Sequence, residues 1–203
     1  MNYGELKTYL TTLINRKDVP NALAGQFINQ AINRLTKTVR PPFLQTVLTY
    51  APSASTLSVA IPTDFIELIN LYTDQVELEQ VDMGGYLRRK LTGDAGTPTC
   101  FVKIAGEFLL FPALDTDTDL NLHYYRATTA LVANTDENGW TTAATDAVVY
   151  GAAELAADFY EDDRVERFAS KYNTCLVELQ NQIYEDQFSG PMAVQSAYQY
   201  GNY

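Results

Sequence analysis

The chain has 203 residues, 46% of them hydrophobic and 12% aromatic, enough for one sizeable core or for two small modules. Acidic residues number 25 against 14 basic, a net charge of -11, which argues against a protein that grips phosphate backbones over its whole surface. The longest uncharged internal stretch, Pro41 to Thr63, is cut by Pro41, Pro42, Pro52 and Pro62, so it makes no transmembrane helix. The start, Met1-Asn2-Tyr3-Gly4-Glu5, lacks the basic and apolar regions of a secretory signal, which predicts synthesis in a cytoplasm and reduced thiols at Cys100 and Cys175.

In chain order, Leu6, Tyr9, Leu10, Leu13 and Ile14 recur at helical spacing, with Asn2 and Glu5 placed as a capping box, and predict a helix over Tyr3 to Asn15. A second stripe of Leu23, Phe27, Ile28, Ala31, Ile32, Leu35 and Val39 predicts a long amphipathic helix ending at Arg40-Pro41-Pro42. From Phe43 the pattern changes to β-branched and aromatic runs broken by turn residues. Strands are predicted over Phe43–Tyr50, Thr56–Ile61, Phe65–Tyr72, Val76–Val81, Thr99–Ile104, Glu107–Phe111 and Leu120–Tyr125, with a short helix at Met83–Lys90. A tight turn is expected at Ala105-Gly106. The short connections predict an antiparallel module. Beyond the loop Asn134 to Gly139, helices are predicted over Thr145–Tyr160 and Asp163–Gln187, the first with an Ala-rich face that allows close helix approach.

These elements predict an α+β fold. N-terminal (1–42) and C-terminal (134–187) helical pairs form one four-helix bundle around an inserted antiparallel β module (43–133), followed by an extended arm (188–203). The expected bundle core is Leu10, Phe27, Leu35, Leu155, Phe168, Leu176 and Leu179.

Charge is uneven along the chain. Residues 1–40 carry six Lys/Arg and two Asp/Glu, net +4; residues 41–135 five and eleven, net -6; residues 136–203 three and twelve, net -9. The basic pair, with Lys7, Arg16, Lys17, Arg34, Lys37 and Arg40, is expected to face the acidic C-terminal helices of the same or a neighbouring chain rather than DNA.

Candidate chemistry fails on spacing. Asp115, Asp117 and Asp119 resemble the opening of a calcium loop, but Leu120 stands where the loop needs Gly and Arg126 where it needs Glu. His123, Cys100 and Cys175 share no zinc-ligand spacing, and His123 reads as a polar sheet-face residue. Glu161-Asp162-Asp163 reads as a cap on the last helix. The expected numbers of catalytic, cofactor and metal sites are therefore none.

The order Ile61-Pro62-Thr63-Asp64-Phe65-Ile66-Glu67-Leu68, then Gly96-Thr97-Pro98-Thr99-Cys100-Phe101, then Gly106-Glu107-Phe108-Leu109-Leu110-Phe111-Pro112 and Leu122-His123-Tyr124-Tyr125-Arg126, resembles the head-to-tail adaptor proteins of tailed bacteriophages. Asn138-Gly139-Trp140, Ala147 to Glu154 and Asp162-Asp163-Arg164 continue the likeness, which spans roughly Thr56 to Gln187. Cys100, where an aromatic residue is more usual, and the tail beyond Ser189 depart from it.

The resemblance implies a structural virion protein of the neck, not an enzyme. It would form a homo-oligomeric ring, a dodecamer, beneath the portal protein, continue the DNA channel and carry tail or nozzle proteins. Genomic DNA would pass without specific binding, and no membrane is involved. In the tail, Met192, Val194, Tyr198, Tyr200 and Tyr203 are the expected contacts to the portal or a neighbouring subunit. Two other readings stay open from the residues: a cytoplasmic helical-bundle regulator that binds a partner protein, and a carboxylate-dependent cell-wall hydrolase.

Overall fold

The computed structural model describes residues 1–92, 96–114 and 118–187. In chain order these hold helices α1 (Tyr3–Leu13) and α2 (Asn21–Thr38), then strands β1 (Gln45–Tyr50), β2 (Ser58–Ala60), β3 (Phe65–Thr73) and β4 (Glu79–Gln80). Helix α3 (Met83–Thr92) is followed by β5 (Cys100–Ile104), β6 (Glu107–Phe111) and β7 (Leu120–Arg126), and the chain closes with α4 (Gly139–Ala143), α5 (Thr145–Phe159) and α6 (Val165–Gln187). This is an α+β fold. It divides into two units, residues 1–41 with the chain from 130 onward, and residues 42–129.

In the helical unit α1 starts on the expected capping box: Asn2 Oδ1 accepts from the Glu5 amide at 2.9 Å and Glu5 Oε2 from the Asn2 amide at 3.0 Å. It stops at Leu13, earlier than expected, because Asn15 turns into the left-handed region at φ 52. α2 is entered through Pro20, whose fixed φ suits a helix start. It buries Ala24, Phe27, Ile28, Ala31, Ile32 and Leu35 on one face. α5 is the hub, packed against α1, α2 and α6. Besides Val148 and Val149 its buried residues are small: Ala147, Gly151, Ala152, Ala153, Ala156 and Ala157. A Cβ added at Gly151 would stand 3.0 Å from the Tyr172 ring and 3.3 Å from Ala31 Cβ, so α2, α5 and α6 meet at a point where only glycine fits comfortably.

Three expected core leucines take other positions. Leu10, Phe27, Leu35 and Phe168 are buried, but Leu155, Leu176 and Leu179 are only half-buried. On α5 the Ala rows take the packing faces and leave Leu155 at their flank. α6 has 23 residues against 15 in its neighbour α5, so its C-terminal half runs out of helix to pack on.

The β unit is two sheets rather than one antiparallel module. One has the order β1-β7-β3 and is antiparallel; the other has the order β2-β6-β5-β4, in which β4 pairs parallel to β5. The expectation of an all-antiparallel module is corrected here, because α3 supplies the crossover that a parallel pair requires. The inner faces share a core of Val59, Leu71, Phe101, Phe108, Leu110, Leu120 and Leu122. Phe65 stacks on Tyr124 at 5.6 Å and meets Phe108 edge-on at 5.8 Å. Tyr86 of α3 packs with Cys100, Val102 and Phe111 on the other face of the second sheet. Within that sheet Ala105 (φ 46) and Gly106 (φ 88) form the expected two-residue turn joining β5 to β6. The strand expected over Val76–Val81 shrinks to Glu79–Gln80, since the Thr73 hydroxyl accepts from the Gln75 and Val76 amides and holds a turn there.

Candidate interaction surface

The corner between α5 and α6 is held by a set of short polar contacts. Glu161 (φ 52) reverses the chain, and Asp162 then accepts three hydrogen bonds from Arg164: backbone N at 3.0 Å, Nε at 2.9 Å and Nη2 at 2.6 Å. Those bonds, side chain first and backbone second, hold the Asp162 carboxyl down at about 2. Arg164 Nη2 also donates to the Ile14 carbonyl at 2.7 Å, tying the end of α1 to the corner. Asp162 therefore fixes the turn just ahead of α6 rather than an amide within it, and Arg164 extends the lock to a distant segment.

Basic residues of the N-terminal pair are largely absorbed within the chain. Arg34 Nη1 donates to Glu154 Oε2 at 3.0 Å, and its guanidinium lies 4.7 Å from the centroid of the Tyr172 ring, joining α2, α5 and α6. Arg16 pairs in a fork with Asp18 and lies over the Tyr160 ring at 4.1 Å. Lys7 donates to Asn134 Oδ1. Arg40 donates to the Thr36 and Val39 carbonyls and closes α2.

The loop before α5 holds a helix that sequence periodicity missed. Asn138 and Thr141 make a reciprocal capping box for the five-residue α4, which buries Trp140 completely. Asp136 Oδ2 accepts from the Val132 and Ala133 amides, and those bonds lower its carboxyl from the ordinary value. Five residues are too few for a helical period to register. The Asn and Asp residues were the available signal.

The outer face of α6 is open to a partner. Opposite the buried Phe168 and Tyr172, the residues Glu166, Ala169, Ser170, Asn173, Thr174, Val177 and Glu178 form a stripe at helical spacing, with Val177 55% exposed. Tyr184, in the last turns, is 64% exposed. The side chains between the two glutamates are small or short.

Among the described residues no three His, Cys, Asp or Glu side chains gather as a metal site. Cys100 is buried with its Sγ 3.5 Å from the Phe111 carbonyl, and burial pushes the half-buried Cys175 thiol up. His123 sits half-exposed on β7, near Asp74 and Glu77. Asp119 is exposed, whereas Asp115 and Asp117 lie outside the described residues, as do the expected docking residues Met192, Val194, Tyr198, Tyr200 and Tyr203. Among the described residues no helix is long and apolar enough to cross a membrane.

Compared with known proteins, no curated protein matches the chain. A family model described as SU10 adaptor protein matches residues 1–195, nearly the whole chain. On that match, the chain belongs to the SU10 adaptor protein family.

Proposed function

We propose that this phage adaptor-type protein is a head-to-tail connector of the virion neck. Its copies form a ring, a dodecamer, beneath the portal protein, continue the DNA channel and give tail or nozzle proteins a platform. The role is structural, without catalysis or cofactor.

The observation that carries the reading is the outer face of α6. A helix that buries Phe168 and Tyr172 on one side leaves on the other a stripe of Ala169, Ser170, Asn173 and Thr174, where a neighbouring bundle can approach closely. Side-by-side bundles are the natural units of a ring. The net charge of -11 fits a wall past which DNA slides without adhering. In this reading Met192, Val194, Tyr198, Tyr200 and Tyr203 make the arm that docks on the portal or the next subunit.

Imaging of the particle neck tests it. The expected result is twelve copies of this chain between portal and tail, with α6 at the contact between copies. A neck that lacks the chain, or a single copy of it, overturns the proposal.

A further inference from the structure

A sheet edge is a row of backbone donors and acceptors ready to pair with another chain, and folded proteins normally blunt it. Of the four edges here three are blunted. β2 has three residues and β4 two. β3 carries Glu67, breaks register between Phe65/Glu67 and Leu68/Asn70, and is covered in its second half: the Leu78 amide donates to the Leu71 carbonyl at 2.8 Å, and Tyr72 bridges to Glu77.

β1 has none of these devices. Its sequence Gln45-Thr46-Val47-Leu48-Thr49-Tyr50 holds no charge and no proline, and it pairs with β7 in unbroken register from Gln45↔Tyr125 to Tyr50↔Leu120. Alternate residues of an antiparallel strand direct their backbone groups away from the partner. Among the described residues, no backbone hydrogen bond from β1 reaches anything but β7. Val47 and Leu48, on opposite faces, are 51% and 37% exposed, so the middle of the strand is open on both sides as well as along its edge.

We propose that this edge accepts the segment Met192–Tyr200 of a second copy of the chain as an added strand. That segment lies outside the described residues, and its sequence carries the argument. Met192, Val194, Ser196, Tyr198 and Tyr200 alternate with Ala193, Gln195, Ala197 and Gln199, a period of two with no charge, Gly or Pro within it. Nine residues suffice to cover the six of β1. In a molecule of net charge -11, both segments are uncharged, so nothing repels their approach. Main-chain pairing supplies the affinity, and the exposed Val47 and Leu48 meet alternate side chains of the incoming strand. Each copy has one such edge and one such segment, a head-to-tail contact that closes when the copies form a ring. The inference rests on the ring reading above and names the receptor of its arm.

The test uses phage particles carrying the double variant Leu48→Cys/Tyr198→Cys, with Cys175→Ser, treated with a short bismaleimide. Covalent multimers of the adaptor are expected, and none from a chain with only one of the two introduced cysteines, Cys100 being buried. A chain linked only to itself, no link in particles that contain the adaptor, or a ladder from a chain with one introduced cysteine overturns the proposal. Leu48→Lys decides where the cysteine chains are not incorporated. It should melt like the parent yet enter particles at least tenfold less, and parental incorporation overturns the proposal. Should the parent chain itself be missing from purified particles, the ring reading falls, and this inference with it.

Discussion

Ala105 occupies the first position of a two-residue hairpin turn at φ 46, a region that a Cβ disfavours and that Asn and Gly tolerate. Ala105→Asn is therefore expected to stabilise the protein by about 0.5 to 1 kcal/mol, read as a higher urea midpoint at unchanged slope. Asp162 makes a prediction in pH. Its carboxyl lies at about 2 in the folded chain, below the ordinary 3.8, so the stability it contributes is fully present above pH 4 and is lost as pH falls from 4 through 2. Melting temperatures of the parent and Asp162→Asn should differ at pH 6 and converge toward pH 2. A constant difference across that range would assign the effect to shape rather than charge.

Along α6 the burial gradient sets what substitutions cost. Tyr172 is 1% exposed, between Gly151 and Arg34, and Tyr172→Ala should cost about 3 kcal/mol or more because the ring leaves a cavity at the meeting of three helices. Leu176→Asp falls where the helix is only half-buried and should cost less, about 1 to 2 kcal/mol. Urea titration of both variants checks the order. The sequence places Phe168, Leu176 and Leu179 together in the expected core. How far along α6 burial extends depended on the length of α5, which periodicity on α6 does not contain. The corner lock was half legible in the same way: Asp162 and Arg164 are neighbours in sequence, but the Ile14 carbonyl that Arg164 reaches is 150 residues away.

For the whole molecule, the ring reading predicts that charge on the outer face of α6 spoils assembly without spoiling the fold. Ser170→Glu together with Thr174→Glu should keep the parental melting temperature within about 2 °C, since both positions are exposed and exposed substitutions change stability little. Particles should nevertheless contain far less of this variant, measured by mass spectrometry of purified virions. Normal incorporation would place the subunit contact elsewhere. At this scale the division of labour between sequence and tertiary structure is plain. The positions of the longer helices and of most strands, the Asn2–Glu5 cap, the Ala105-Gly106 turn and the α+β class were written locally, because each depends on the period or chemistry of adjacent residues. The split into two sheets, the parallel pairing of β4 with β5, the half-burial of Leu155, Leu176 and Leu179, and the meeting of Arg34, Glu154 and Tyr172 were decided only by the folded chain. Those features are contacts between segments far apart in sequence, and they follow from which surfaces the elements have left to bury once neighbouring elements are in place.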